Sequence, residues 1–516
     1  MRSEKLFRPF IRPMFNSHCG GIRLDEVSLM KRIGALLLCG ILLLPAAGAS
    51  GTPWPAWAAE ALAWGREKSV SRAFLASPGQ RLTRGAVARL LYESAGQPAA
   101  HEECPFSDVS EKDAAAVGWA AGQGYLTGVG DGTYEPGRPV TRQEFAAILW
   151  RQAGTPEVPV QGLERFGDAG TVSEWARDAV LWCQQAGVMA GRSGDKLAPE
   201  DTITTAEALV MLERAAGLPD VGQLRDDLEI LAAHHRPVGS QGEADAVRYL
   251  RDRFEEMGYS VTLQPYTDGQ GRTGHNVAAV KAASVPDADI LVLSAHHDSV
   301  PTAYGANDNA SGVAALLYTA EALRNVPTDT EVRFLSFTDE ENGKNGSRTY
   351  TASLTEEERT RIVGAIQSDM LGGLGSTGTL VCTVDGEANW VSDLLQKKNP
   401  GLESGVETAS DHTSFQLSGI PAVLLMQRGR GYLYHSAADT AEQLDLYAIA
   451  AAADSAAAAA EEICSADTPS YRALAREQGE RGAYRQARQN MIYFGSSRAD
   501  TEAYIGAAGE PVGASE

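Results

Sequence analysis

The second half of the sequence predicts an α/β domain with a mixed, mostly parallel sheet and helices on both faces. Four short segments are rich in apolar residues, namely 290–295, 332–338, 363–368 and 420–426. Nearly continuous apolar runs of this length are typical of strands that are buried on both faces of a parallel sheet. A helical segment, residues 312–324, follows the first predicted strand, as the crossover connections of parallel strands require.

Residues of metal-ligand type stand at the ends of these predicted strands or in the loops that follow. They are His296, Asp308, the adjacent pair Glu340 and Glu341, Asp369 and His435. In open α/β sheets, ligands bind outside the carboxyl ends of the strands. Histidine and carboxylate groups match the nitrogen and oxygen ligands that zinc prefers. One catalytic zinc keeps about three protein ligands, so a set of five suits two metals that share a carboxylate. This set is His296, Asp308, Glu341, Asp369 and His435.

Two further carboxylates fit a metal-assisted hydrolysis. Glu340 and Glu341 are adjacent at a strand end and cannot point the same way, so one can bind metal while the other faces the water. A carboxylate that is not a ligand can accept the proton of an activated water and pass it to a leaving amine. Asp298 is two residues from His296, which is consistent with a carboxylate that orients a ligating histidine.

Five motifs in this order carry a family resemblance: AHHDS, GANDNASG, DEENGKNGS, SDMLGG and YHSAADT. They resemble the di-zinc aminopeptidases of the aminopeptidase Y and bacterial leucyl aminopeptidase type, of which glutamate carboxypeptidase II is a distant relative. The resemblance covers about residues 218–464. It implies a zinc-exopeptidase fold, two bound Zn²⁺ ions and peptide substrates.

Position by position, the resemblance implies a role for each ligand. Asp308 bridges both metals. His296 and Asp369 complete one metal site, and Glu341 and His435 complete the other.

The same resemblance implies that Glu340 is the general base and that Asp298 orients His296. It also implies a cis peptide between Asp308 and Asn309. The substrate pocket is expected to include three further residues of the loops around the site: Asp411, His412 and Tyr434.

Residues 59–217 contain an internal repeat, with units at about 59–98, 105–154 and 165–217. The second and third units end in a glycine turn and a helix that a threonine begins. The pairs Thr141/Glu144 and Thr204/Glu207 have the spacing of a capping box. The first copy is degraded and ends in RLTRGAVARLL.

The repeats resemble S-layer homology domains, which implies an all-α-rich domain that binds a secondary cell-wall polymer of Gram-positive bacteria. Arg84 and Arg142 would contact the polymer's anionic group, whereas the third copy has Thr205 at this position. The alternative is a bundle of capped helices without a ligand.

The termini complete the predicted organisation. Residues 1–58 are expected to be a presequence, in which Met30 opens a secretory signal that ends near residue 49 or 58. An uncleaved amino-terminal anchor is the alternative. The peptidase domain is expected at 218–465, and the polar tail, 466–516, is expected to hold one helix.

Composition limits the partners. The net charge of −22 argues against non-specific binding to nucleic acid, because nucleic acid is also negatively charged. Four cysteines follow the presequence, and they are compatible with one disulfide in each domain or with free thiols: Cys104, Cys183, Cys382 and Cys464.

Together these features predict a secreted metallopeptidase, attached to a Gram-positive-type cell wall, that removes N-terminal residues from peptides. No membrane span is expected to remain after signal cleavage. One alternative is a carboxypeptidase or cell-wall peptide hydrolase that uses the same site. Another is a surface binding or adhesion protein on an inactive peptidase fold.

Overall fold

The computed structural model describes residues 53–98, 104–156, 158, 162–163, 165–192, 195–374, 376–429, 431, 433–465 and 470–494. The predicted secretory signal lies outside these residues, except for positions 53–58, and stays a prediction. Within the described ranges, no helix has both the length and the apolar character that crossing a membrane requires.

Short helices around a single apolar core make up the amino-terminal region. They are α1 Ala59–Glu67, α2 Arg72–Leu75, α3 Arg84–Ser94, α4 Glu111–Gly122, α5 Arg142–Gln152, α6 Arg177–Gln185 and α7 Thr205–Ala216. The core contains the fully buried side chains of Tyr134, Phe145 and Trp182. The predicted helix-rich character of this region is therefore confirmed.

A closed ring of backbone hydrogen bonds joins three equivalent positions of this region. The N–H of Leu82 donates to the carbonyl of Ile203, that of Ile203 to Val140, and that of Val140 to Leu82, each at 3.0 Å. Each of these residues is followed by a threonine whose hydroxyl caps the next helix. The three caps are Thr83, Thr141 and Thr204.

The two predicted capping boxes, Thr141 with Glu144 and Thr204 with Glu207, are confirmed. In the first copy Ala86 stands at the glutamate position, so only the threonine half of the box is present. The first copy thus contributes to the ring of hydrogen bonds in the same way as the other two.

The carboxyl-terminal region is built on one eight-stranded sheet with the strand order β1-β2-β4-β3-β5-β8-β6-β7. The strands are β1 Ser260–Thr267, β2 Thr273–Lys281, β3 Ile290–His296, β4 Glu331–Phe337, β5 Ile362–Ser368, β6 Thr379–Thr383, β7 Glu403–Val406 and β8 Ala422–Gln427. The central strands β4, β3, β5 and β8 are parallel, whereas β2 and β6 join them antiparallel. The predicted mixed, mostly parallel sheet is confirmed.

Helices cover both faces of the sheet. They are α8 Gly222–Leu231, α9 Gln241–Glu256, α10 Ser311–Leu323, α11 Asn345–Ser353, α12 Glu356–Arg361, α13 Trp390–Lys398, α14 His412–Leu417, α15 Leu446–Cys464 and α16 Arg472–Phe494. Along β3, Leu291 and Leu293 enter the core on one face, whereas Ile290 and Val292 enter the core on the other. This alternation explains why the central strands are apolar at nearly every position.

Helix α16 is the helix expected in the polar tail. It is packed against α14 and β5, and Arg472 at its start forms ion pairs with Asp287 and Asp289. Tyr471 stacks on Trp390 at a centroid distance of 4.3 Å. The tail therefore contributes to the fold up to this helix, and residues 495–516 lie outside the described ranges.

The two regions belong to one unit that begins at Trp54. Between them, the indole N–H of Trp182 in α6 donates to the hydroxyl of Tyr447 in α15 at 3.1 Å.

The cysteines Cys104, Cys183, Cys382 and Cys464 are free thiols. This agrees with the second of the two cysteine alternatives.

Candidate metal centre

The parallel strands deliver the predicted ligands to one edge of the sheet. His296 is the last residue of β3, and Asp369 follows β5 directly. Glu340 and Glu341 lie in the turn after β4, and His435 lies in the loop after β8. Since parallel strands end at the same edge, residues from four distant segments meet there.

One cluster is formed by His296, Asp308 and Asp369, all of which are buried. Nε2 of His296 lies 3.3 Å from Oδ1 of Asp308 and 3.5 Å from Oδ1 of Asp369. One ligand atom from each residue lies within 4.8 Å of the others, which is a spacing that a single cation can span.

A second cluster is formed by Asp308, Glu341 and His435. Nε2 of His435 lies 3.0 Å from Oε2 of Glu341 and 3.1 Å from Oδ2 of Asp308. Asp308 thus presents Oδ1 to the first cluster and Oδ2 to the second, which is the arrangement of a bridging carboxylate. Its peptide bond to Asn309 is cis, as the resemblance predicted.

Buried polar atoms in both clusters fit a bound divalent cation. Several have no hydrogen-bond partner among the described residues: Nε2 of His296, Oδ1 of Asp369, Oε1 of Glu341 and Nε2 of His435. Leaving buried polar groups unpaired is costly, and burying unpaired charge is more so. A metal ion in each cluster would satisfy these atoms, and the mixture of imidazole nitrogen and carboxylate oxygen fits zinc.

Asp298 connects the first cluster to the turn that carries the two glutamates. Its Oδ1 lies 3.3 Å from Nδ1 of His296. Its carboxylate accepts the backbone N–H groups of Glu340 at 3.1 Å and Glu341 at 3.2 Å. The side chain therefore lies where the resemblance placed the carboxylate that orients the histidine.

Glu340 is buried but belongs to neither ligand cluster. Burial raises its pKa well above the usual value, and the nearby carboxylates of Asp411 and Asp369 add to this, whereas His296 opposes it. A carboxylate in this environment takes up a proton readily. This is the property that a group shuttling a proton beside the clusters needs.

The predicted pocket residues have different positions. Asp411 is buried beside the first cluster, where burial raises its pKa to about 7, and its Oδ2 accepts a hydrogen bond from Gln367. His412 is also fully buried, and its Nε2 donates to the carbonyl of Glu407, so its ring forms part of the interior. Tyr434 stacks on His435 at 3.7 Å and lines a small cavity next to it.

Sequence reasoning missed two buried residues that contact the ligand loops. Asp439 accepts the backbone N–H groups of Asn307 at 2.7 Å and Asp308 at 3.2 Å. Arg236 donates to carbonyl groups of the loop between His296 and Asp308. Asp439 could have been found as the charged residue of the YHSAADT motif, and Arg236 as the buried cation of RPVGS.

The two arginines predicted to bind a cell-wall polymer are not equivalent. Arg84 lies over the ring of Tyr134 at 4.4 Å and lines a cavity of about 240 Å³ together with Arg138, Arg151 and Trp175. Arg142 is only 4% exposed.

The guanidinium of Arg142 is bound within the protein. It forms an ion pair with Glu207 at 3.1 Å and donates to the carbonyls of Leu197 and Ala190. Arg84, by contrast, borders the cavity.

The fold and the clusters define an α/β domain with a candidate two-metal centre at the carboxyl edge of its sheet. Residues 276–460 match the family model of peptidase family M28, and residues 105–146 and 165–209 match that of the S-layer homology domain. The chain thus carries an M28 peptidase domain preceded by two S-layer homology segments. The first copy of the repeat, at 59–98, stays a prediction.

Curated relatives are similar over part of their length. Aminopeptidase YwaD of Bacillus subtilis is 35% identical over 169 residues, which are 31% of this chain and 36% of that protein. Leupeptin-inactivating enzyme 1 of Streptomyces exfoliatus is 32% identical over 209 residues, which are 38% of this chain and 45% of that protein. The chain therefore spans less than half the length of these relatives.

Solved structures with a similar fold include an aminopeptidase from Aneurinibacillus sp. strain AM-1, with 25% identity and a TM-score of 0.45 over 47% of this chain and 94% of that one. Another is BSAP, a zinc aminopeptidase from Bacillus subtilis, with 18% identity and a TM-score of 0.47 over 50% of this chain and 98% of that one.

Proposed function

We propose that this protein is a secreted metallopeptidase of a Gram-positive-type cell surface that removes N-terminal residues from peptides. The observation that carries the proposal is Asp308, which presents one carboxylate oxygen to each of two buried ligand clusters. An M28 domain and relatives named aminopeptidases support the same reading.

Five residues would hold two zinc ions. Asp308 would be shared, His296 and Asp369 would complete one site, and Glu341 and His435 the other. Zinc, when bound, lowers the pKa of water to about 7 and polarises a carbonyl group.

Glu340 would accept the proton of the attacking water and deliver it to the nitrogen of the leaving amine. Its buried position beside the clusters, outside both ligand sets, supports this role. Asp298 would keep the ring of His296 oriented and hold the turn of Glu340 in place through its backbone N–H.

Curated relatives that are named aminopeptidases support cleavage next to a free amino terminus.

The repeat region would attach the peptidase to the cell wall. The S-layer homology segments support this assignment. The cavity beside Arg84 is lined by three arginines and by Glu144, which pairs with Arg138, so positive charge remains in excess and suits an anionic polymer group. Binding of the chain to purified Gram-positive cell walls would test this part. The variant Arg84→Ala should release the protein, whereas Arg214→Ala, outside the cavity, should not.

The direction of cleavage is tested with two matched substrates, leucine p-nitroanilide and its N-acetyl derivative. The purified chain should hydrolyse the first and leave the second intact, because acetylation removes the positive charge of the amino group. Equal hydrolysis of both would contradict N-terminal specificity. Hydrolysis of neither, with release of a carboxyl-terminal residue from a peptide, would indicate a carboxypeptidase.

A further inference from the structure

Arg236 is a buried cation below the candidate metal centre. Its side chain is only 1% exposed. In the described residues, all hydrogen bonds of its guanidinium go to backbone carbonyl groups, those of Leu231, His234, His297, Tyr304 and Gly305. A buried arginine whose N–H groups donate to several backbone carbonyls fixes the path of the chain around it.

Three of these carbonyls belong to the loop that carries ligands at its two ends. His297 lies between His296 and Asp298, and its carbonyl accepts from Nε of Arg236 at 2.6 Å. The carbonyls of Tyr304 and Gly305, close before Asp308, accept at 2.7 and 2.8 Å. One side chain therefore ties the beginning of the loop to its end.

The backbone of Arg236 adds to this contact. Its N–H donates to the hydroxyl of Ser299 at 3.0 Å, and the N–H of Ser299 donates back to its carbonyl at 3.3 Å. The loop is thus attached to Arg236 at Ser299 as well as at its two ends.

The segment from Gly305 to Asp308 is held from both sides. Arg236 binds the carbonyl of Gly305, whereas Asp439 accepts the N–H groups of Asn307 and Asp308. Gly305 has a φ of +63°, and a Cβ there would lie 2.4 Å from the carbonyl oxygen of Asp308. The segment has little room to move while both contacts are present.

The charge of Arg236 also acts on the centre. Burial lowers the pKa of Arg236 to about 10, whereas the carboxylates of Asp298, Asp439, Asp308 and Glu341 oppose this change. The guanidinium thus offsets part of the repulsion among acidic groups that are held close together. This effect adds to the geometric one, because both favour the same arrangement of the loop.

We propose that Arg236 is a positioning residue of the metal centre, which holds both ends of the loop 297–308 so that His296 and Asp308 face their metals correctly. The proposal rests on the proposed function, since it requires that the two clusters bind zinc. The proposal predicts that Arg236 increases the affinity of the two clusters for zinc, in addition to any contribution to folding.

The test compares Arg236→Lys and Arg236→Met with the wild-type full-length chain. Zinc is removed, folding is checked by circular dichroism, and the zinc dissociation constants are measured by competition with a chelator of known affinity. We expect the constants of Arg236→Met to rise about 10- to 100-fold, the range known for residues that support metal ligands. Lysine keeps the charge but cannot reach all five carbonyls, so Arg236→Lys should lie between.

Arg333→Lys is the matched control. Arg333 is also largely buried and forms ion pairs with Glu331 and Glu358, but it lies near the start of β4, at the opposite end from the ligands. This variant should lower the melting temperature and leave the zinc dissociation constants within about twofold of the wild type.

The outcomes separate the inference from the function on which it rests. Folded Arg236 variants with wild-type zinc dissociation constants would overturn the positioning role and leave the proposed function standing. If Arg236→Met does not fold, the result for Arg236→Lys decides. A wild-type chain that binds no zinc would overturn both proposals.

Discussion

The carboxylate of Asp298 lies 3.3 Å from Nδ1 of His296, while the other ring nitrogen of that histidine faces Asp308 and Asp369. The two ring nitrogens thus face different carboxylates. With a metal on Nε2, a proton on Nδ1 would be held by Asp298, which fixes the tautomer and the orientation of the ring.

Replacing Asp298 by asparagine should weaken zinc binding. The neutral amide cannot balance the charge on the imidazole. It also has one oxygen instead of two, whereas the N–H groups of Glu340 and Glu341 bind different oxygens of Asp298. We expect the zinc dissociation constant of Asp298→Asn to rise about 10- to 100-fold in a chelator competition. Asp252→Asn, at an exposed site on α9, serves as the control, and equal effects of the two changes would contradict the assignment.

Glu340→Gln should separate metal binding from catalysis. Glu340 is outside both clusters, so the variant should bind zinc as the wild type does. Its kcat should fall about 10²- to 10⁴-fold, because glutamine cannot accept the proton of the attacking water. Zinc content and steady-state kinetics are measured on the same preparation.

Glu341→Gln is the comparison for this experiment, since Glu341 is a proposed ligand and its loss should reduce the zinc content instead. Substantial turnover by zinc-loaded Glu340→Gln would remove Glu340 from the role of general base.

The contact between Trp182 and Tyr447 should couple the stability of the repeat region to that of the peptidase region. Tyr447→Phe removes the acceptor of the 3.1 Å hydrogen bond and should cost about 0.5–1.5 kcal/mol in urea unfolding. Trp182→Phe should cost more, since it also reduces a large buried side chain. The double variant should lose less than the sum of the two, whereas strictly additive losses would show that the two residues do not interact.

Acid should weaken the repeat region through Glu207. Burial alone would raise the pKa of this carboxyl group, but hydrogen bonds from Arg192 and Thr204 and the charge of Arg142 lower it below the usual value. The stabilisation by Glu207 is therefore complete above the pKa of an unfolded glutamate and is lost as the pH falls through the lower, folded-state pKa.

Thermal unfolding between pH 3 and pH 6 checks this expectation against the variant Glu207→Gln. The difference in melting temperature between the two proteins should shrink as the pH falls. A difference that stays constant over this range would contradict the role of the carboxylate.

Much of the peptidase fold could be predicted because its central strands are apolar on both faces. The predicted strands 290–295 and 363–368 agree with β3 and β5 to within one residue. The ligands could be predicted with them, since each follows a strand and parallel strands end together. The short strands β6 and β7 at one end of the sheet were not predicted. Partly or fully exposed residues lie at the start of β6 and all along β7, so neither forms a long continuous apolar run.

Contacts that depend on the path of a loop could not be predicted. The role of Arg236 comes from backbone carbonyls, which have no signature in the sequence. The burial of Arg142 was missed for a similar reason, because its partner Glu207 lies 65 residues away in the next repeat. A shared motif therefore predicted equal roles for Arg84 and Arg142, but their surroundings differ.

The measurement that tests the central claim most directly is the hydrolysis of leucine p-nitroanilide by the purified chain, before and after removal of metal and after addition of zinc. The account predicts that a chelator abolishes the activity and that close to two equivalents of zinc per chain restore it. Activity that persists after complete removal of the metal would contradict the account. So would a zinc-loaded chain that hydrolyses no peptide or amide substrate.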